Sequence, residues 1–220
     1  MKLLVVGAHA DDTVLCAGGT MERAIRRGDI VRDVTFSIHR GVPINFKPEI
    51  AAEHGDAMQL YMRNEPGQFS YRIENYEACT GEFEHGESRV EIRRILEEER
   101  DTFEPDLVIS HSKLDSNQDH SALASEVRRV FKRTTTIYDF VFPWNHQGLW
   151  PNIFVQLSLS DMGAKNDALK CYKSQYRMGT HYYMRTEIQM AWAEAWGSLY
   201  GWHGAEAFIF QTGLFNRGLF

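Results

Sequence analysis

Residues Leu3 to Val6 form a short run of β-branched and aliphatic side chains that stops at Gly7-Ala8-His9-Ala10-Asp11-Asp12. Beyond it, Gly18-Gly19-Thr20 leads into Met21, Ala24 and Ile25 at helical spacing. This reads as strand, loop, helix. The alternation recurs along the chain. Val34 to Ile38 reads as a strand, Pro48 to Met62 as an amphipathic helix and Phe69 to Ile73 as a short strand. A helix from Glu87 to Thr102 is stopped by Pro105, and Leu107-Val108-Ile109 is the next strand. Ser121 to Lys132 then reads as a helix and Thr134 to Phe142 as a strand rich in Thr, Ile, Tyr, Val and Phe. Such alternation indicates an α/β architecture with a mostly parallel sheet. Ile153, Val155, Leu157 and Leu159 follow as a half-exposed strand. Ala164 to Tyr176 and Arg185 to Leu199 read as helices, and Ala205 to Phe210 as a last strand or a helix end.

The chain of 220 residues is expected to form a single domain over 1–220. Its net charge of −6 argues against a nucleic-acid partner, whose binding surfaces are rich in Lys and Arg. Cys16, Cys79 and Cys171 are odd in number and scattered, which suggests neither a disulfide framework nor a thiolate metal site. No segment approaches the length of a transmembrane helix, and the apolar opening breaks at His9 too early for a signal peptide. A soluble, cytoplasmic protein is the expectation.

Two polar loops each follow a strong strand: His9 to Asp12 after the first, and Asn117-Gln118-Asp119-His120 after the fourth. With strand order 3-2-1-4-5 they face one crevice at the topological switch point. The expected fold is thus a Rossmann-like three-layer sandwich with its active site at the carboxyl ends of strands 1 and 4. His and carboxylate oxygens suit zinc, and three protein ligands leave one position for water. A remaining carboxylate can act as a base, so amide hydrolysis follows. Either motif alone is weak, because Asp and His in loops are commoner as turn formers, helix-start residues or solvated groups. Their conjunction is what points to a site.

At these residues the chain resembles the LmbE-like (PIG-L type) zinc-dependent N-deacetylases. The first family motif, A-H-P-D-D-E before a Gly-Gly pair, is matched by Ala8-His9-Ala10-Asp11-Asp12-Thr13 with Gly18-Gly19-Thr20. The second, H-x-D-H, is matched by Asn117-Gln118-Asp119-His120. Ala168-Leu169 with Tyr172-Lys173-Ser174-Gln175, and Ala205-Glu206-Ala207-Phe208, are also similar to the family. The resemblance implies that His9, Asp12 and His120 hold zinc, or another divalent ion, and that Asp11 is the general base and then the general acid. The residues by themselves do not choose between Asp11 and Asp12. Asp119 is implied to orient a ligand imidazole. The implied substrate is an N-acetylated amino sugar of the N-acetylglucosamine type, or a conjugate of one.

Ala10 replaces the usual Pro and Thr13 a common Glu, and neither threatens the metal. Asn117 stands where the family has a His that helps stabilise the tetrahedral intermediate, and an amide can donate a hydrogen bond but no charge. His111, His146 and His181 are candidate substitutes, each more ordinary as a surface or loop histidine. Arg40, Trp144 and His146 are candidate substrate contacts. Trp144 and Trp150 could stack on a sugar face, though aromatics near Pro and Gly more often anchor a loop, while Trp192 and Trp196 read as core. No counterpart is evident of the Arg that many members carry on the helix after the second strand. Two alternatives stay open: an amidase acting on a larger N-acyl or thiol conjugate, and a catalytically weak sugar-binding protein. A homo-oligomer is compatible with all of these.

Overall fold

The computed structural model describes residues 1–37, 47–63, 67–76, 81–145, 150–177 and 181–213. The first strand, β1 (Lys2–His9), shows why the chain folds around its N-terminus. Side chains alternate across a strand, so Leu3 and Val5 enter one apolar layer while Leu4 and Val6 enter the other. All four are fully buried, and each such side chain is worth about 1.5–3 kcal/mol of burial. A strand covered on both faces belongs in the middle of a parallel sheet.

That is where it lies. The further elements in chain order are α1 (Asp12–Arg26), β2 (Ile30–Ser37), α2 (Lys47–Met62), β3 (Phe69–Ile73) and a 3-10 turn (Glu82–Glu84). They continue with α3 (Gly86–Phe103), β4 (Leu107–Ser110), α4 (Gln118–Phe131), β5 (Thr136–Phe140) and β6 (Ile153–Leu157). The last are α5 (Leu159–Leu169), α6 (Lys173–Arg177), a 3-10 turn (Tyr182–Met184), α7 (Thr186–Ser198) and β7 (Gly204–Thr212). The sheet order is β3-β2-β1-β4-β5-β7-β6, with β1 to β5 parallel and β7 antiparallel to both its neighbours. Val5 pairs with Asp33 of β2 on one side and with Ile109 of β4 on the other, so the order in which strands are added reverses at β1. A crevice opens there, beyond the carboxyl ends of β1 and β4. One apolar layer joins Met21 and Ile25 of α1 to Met58 and Tyr61 of α2 and Leu169 of α5. The other joins Ile92 and Leu96 of α3 to Leu123 and Phe131 of α4.

Several boundaries differ from the sequence reading, each for a local reason. Helix α4 begins at Gln118 rather than Ser121, because Asn117 caps it: its side-chain oxygen accepts from the amides of Asp119 at 2.9 Å and His120 at 3.4 Å. Strand β5 begins at Thr136, since the amides of Thr134 and Thr135 still donate to the Phe131 carbonyl at the end of α4. The strand read through Leu159 stops at Leu157, where Ser158 and Asp161 form a capping box that starts α5. The helix read over Ala164 to Tyr176 is two helices, α5 and α6. Ala205 to Phe210 lies within the antiparallel strand β7.

Helix α1 runs straight through Gly18 and Gly19. A Cβ at Gly19 would stand 2.5 Å from Leu157 Cδ1 and one at Gly18 2.8 Å from the Tyr61 hydroxyl, so glycine permits α1 to approach its neighbours this closely. Among the described residues no helix is long and apolar enough to cross a membrane.

Candidate metal centre and active site

Ser110 Oγ donates to the Val6 carbonyl at 2.9 Å, and the Ala8 amide donates to His111 Nε2 at 2.9 Å, so the ends of β4 and β1 are tied together. His9 is the last residue of β1 and Asp12 the first of α1. The Asp12 carboxylate turns back to accept the His9 amide at 2.7 Å. His120 enters from the first turn of α4. All three side chains are buried.

Their inner atoms form a small triangle. His9 Nδ1 lies 3.1 Å from His120 Nε2 and 3.2 Å from Asp12 Oδ2, and His120 Nε2 lies 3.4 Å from the same oxygen. Donors at 2.0–2.1 Å from a tetrahedral zinc stand roughly 3.3 Å apart, so the spacing fits such an ion. The proton positions agree. His9 Nε2 meets Asp119 Oδ2 at 3.0 Å, and His120 Nδ1 meets Asp115 Oδ2 at 2.8 Å. Carboxylates accept, so these outer nitrogens carry the hydrogens and the inner ones present lone pairs. Two lone pairs and a carboxylate oxygen facing one another are a place for a cation, and each imidazole has the carboxylate partner that metal-ligating histidines generally have.

The electrostatics show how strongly these groups act on one another. Burial raises the pKa of Asp12, but His120, His9 and His111 outweigh it and hold the carboxyl well below its ordinary value. Burial lowers that of His120, yet Asp12 and Asp115 raise it above the usual imidazole value. Burial, followed by repulsion from His120, brings His111 down to about 4. Its Nε2 is 3.2 Å from Asp12 Oδ2, but that lone pair already accepts from Ala8. His111 is thus a neutral brace, stacked on His120 with ring centroids 3.9 Å apart.

Asp11, the residue before α1, is buried, and its Oδ2 has no hydrogen-bond partner among the described residues. The peptide it shares with Ala10 is held from behind. The Ala10 carbonyl accepts from Tyr172 Oη at 2.8 Å and from His54 Nδ1 at 2.8 Å, which fixes the His54 hydrogen on Nδ1. His54 Nε2 then faces Asp33 Oδ1 at 3.7 Å, too long for a hydrogen bond. Burial pushes Asp33 up and His54 down.

Of the residues singled out from sequence, His9, Asp12, His120 and Asp119 meet in one cluster, and Asp11 adjoins it. Asn117 caps α4 through its oxygen, with its NH2 group not used in that cap. Trp144 is 37 % exposed and stacks between Tyr183 at 4.2 Å and Trp192 at 5.0 Å. Arg40 and His146 lie outside the described residues. His111, read as a candidate substitute for the family's His or else as a surface or loop histidine, stands in the loop directly after β4 and is buried beside the cluster. Asp115, His54, Asp33 and the role of Tyr172 escaped the sequence reading. His111 had a usable signal, since it directly follows strand β4 at its carboxyl end; Asp115 had none, being a loop aspartate of ordinary kind. Trp192 and Trp196, read as core, are half-buried.

The family described as GlcNAc-PI de-N-acetylase (PIG-L) matches residues 4–131, over half of the chain. No curated protein sequence matches it. The fold is shared with solved structures. N,N'-diacetylchitobiose deacetylase from Pyrococcus horikoshii is 18% identical, with a TM-score of 0.73, over 99% of this chain and 86% of that one. A conserved protein of Thermus thermophilus is 21% identical, with a TM-score of 0.71, over 99% and 98%. The 4-carboxy-2-hydroxymuconate hydratase of Pseudomonas putida is 20% identical, with a TM-score of 0.74, over 100% and 99%. At these identities the likeness is one of fold, and the activity must be argued from the site.

Proposed function

The chain belongs to the GlcNAc-PI de-N-acetylase (PIG-L) family, and from that premise and the site's geometry we propose that it is a zinc-dependent N-deacetylase. Its substrate in this reading is an N-acetylated amino sugar or a conjugate of one, hydrolysed to a free amine and acetate. The observation that carries the proposal is the triangle of His9 Nδ1, Asp12 Oδ2 and His120 Nε2, with edges of 3.1 to 3.4 Å. Zinc held there would lower the pKa of water towards ~7 and polarise an acetamide carbonyl.

The remaining work belongs to the protein. Asp11 takes a proton from the attacking water and returns it to the departing amine. Its uncommitted, buried Oδ2 and the two-donor clamp on the Ala10 carbonyl suit a base that must hold its place. Asp119 and Asp115 keep the outer hydrogens on His9 and His120, so the inner lone pairs stay available. Asn117 offers its NH2 group to the developing oxyanion while its oxygen caps α4. Trp144, Arg40 and His146 are proposed to meet the rest of the substrate.

The test is acetate release from N-acetylglucosamine by wild type and Asp11→Asn, with metal content measured on both. A fall of ~10²–10⁴-fold in kcat with metal retained is expected for a general acid–base group. Undiminished release by the variant would remove Asp11 from the mechanism. A panel of bulkier N-acyl substrates separates deacetylation from the wider amidase reading.

A further inference from the structure

We propose that two copies of this chain pair through β6, edge to edge and antiparallel about a two-fold axis, so that their two sheets become one. The inference does not depend on the reaction the protein catalyses. β6 closes one end of the sheet and is hydrogen-bonded to β7 alone. Among the described residues no backbone–backbone bond outside that ladder involves it, so its outer row of N–H and C=O groups has no strand partner. The opposite end of the sheet shows how such an edge is ordinarily protected. There β3 carries Arg72, which pairs with Glu74, Glu98 and Glu99. Charge on an edge strand discourages pairing with a second chain. β6 has none. From Phe140 to Ser160 the sequence holds no Asp, Glu, Lys or Arg, in a chain that is 25% charged.

The surface beside this edge is aromatic. Trp150, Trp196, Phe154, Tyr200 and Trp202 form a continuous run of rings, each 5.0 to 6.0 Å from the next. Trp150 is 71% exposed, Leu199 54% and Tyr200 53%. These three side chains present roughly 400 Å² of mostly apolar area, about half of the ~800 Å² that each partner gives to a standard interface. The half-buried rings and the strand edge add to it. Exposed apolar patches of this size mark contact sites. A second copy of the chain meets both features at once. Its own β6 supplies the missing ladder, its own aromatic run covers the rings, and antiparallel pairing about a two-fold axis gives both protomers the same contact. A membrane surface meets neither. Hydrocarbon would leave the open sheet edge unpaired, and neither Phe140 to Ser160 nor Thr186 to His203 holds a Lys or Arg to attract anionic lipid.

The experiment is sedimentation equilibrium of the full-length protein at micromolar concentration, for wild type, for Gln156→Lys, and for Trp150→Ala combined with Tyr200→Ala. Gln156 is exposed on β6, and lysines placed there repel one another across the axis. Wild type is expected to be a dimer and Gln156→Lys a monomer. The aromatic variant should dimerise about tenfold or more weakly, with the circular dichroism of all three proteins unchanged. Hydrogen exchange locates the contact: the amides of 153–157 should slow as protein concentration rises, and those of the β3 edge, 69–73, should not. Should Gln156→Lys fail to fold, the aromatic variant and the exchange data carry the test. A monomeric wild type, an oligomer that both variants leave intact, or exchange at 153–157 that ignores concentration would overturn the proposal. Binding of a monomeric wild type to phosphatidylcholine vesicles, lost in the aromatic variant, would replace the second copy with a membrane surface.

Discussion

Two histidine–aspartate groups lie on opposite sides of the loop from His9 to Asp12, and their pKa values are shifted in opposite directions. In front, Asp12 is held well below its ordinary pKa and His120 above its own. Behind, Asp33 is raised and His54 lowered, burial being the largest cause of both shifts. Burial opposes charge in both places and does not distinguish them. The difference is in the number and distance of partners. Asp12 Oδ2 has three imidazole nitrogens within 3.2 to 3.4 Å, whereas Asp33 and His54 stand 3.7 Å apart with no hydrogen bond between them. Identical residue types thus form a tight cluster that could hold a metal ion on one side and a loosely spaced pair bracing the Ala10 carbonyl on the other.

The largest effect should come from breaking the front group. His120→Ala is expected to abolish metal binding and take acetate release to background, measured by elemental analysis and an acetate assay. Next are the carboxylates behind the two histidines. Asp119→Ala and Asp115→Ala should each weaken metal affinity or activity by about 10–100-fold, measured by competition with a chelator. If only one of them matters, the symmetric account of His9 and His120 is wrong.

The rear group should act on position rather than on metal. Tyr172→Phe removes one of two donors to the Ala10 carbonyl and should cost about 1 kcal/mol of stability. With Asp11 less firmly held, kcat should fall by up to ~10²-fold while metal content is unchanged. The smallest effect is in the pH dependence of stability. The folded pKa of His54 is below 6.5, so the unfolded chain takes up its proton first and stability declines as pH falls below that value. Asp33, with a folded pKa above 3.8, contributes the opposite slope as pH rises from there. Urea midpoints at pH 7.5 and 5.5 should therefore converge in His54→Gln relative to wild type. Equal slopes would show that His54 is not held neutral.

This contrast also marks how far the sequence could be read. The central strands were legible because a strand buried on both faces leaves a continuous apolar run, as Leu3 to Val6 does. His9, Asp12, Asp119 and His120 were legible because they sit at strand ends or a helix start, where chain topology brings them together. Asp115 was not, since its value lies in reaching His120 Nδ1 at 2.8 Å across a loop whose path depends on the whole fold. The rear group was hidden for the same reason: Asp33, His54 and Tyr172 come from β2, α2 and the α5–α6 junction, and only packing makes them neighbours. Helix boundaries failed where a cap decided them, at Asn117 and Ser158, because Asn and Ser are equally common in turns.

The most direct measurement is the zinc content of the purified protein by elemental analysis, for wild type and His120→Ala in parallel after equilibration with the metal. The account predicts about one ion per chain in wild type and none in the variant. No metal in wild type, or the same amount in both, would contradict a centre built from His9, Asp12 and His120.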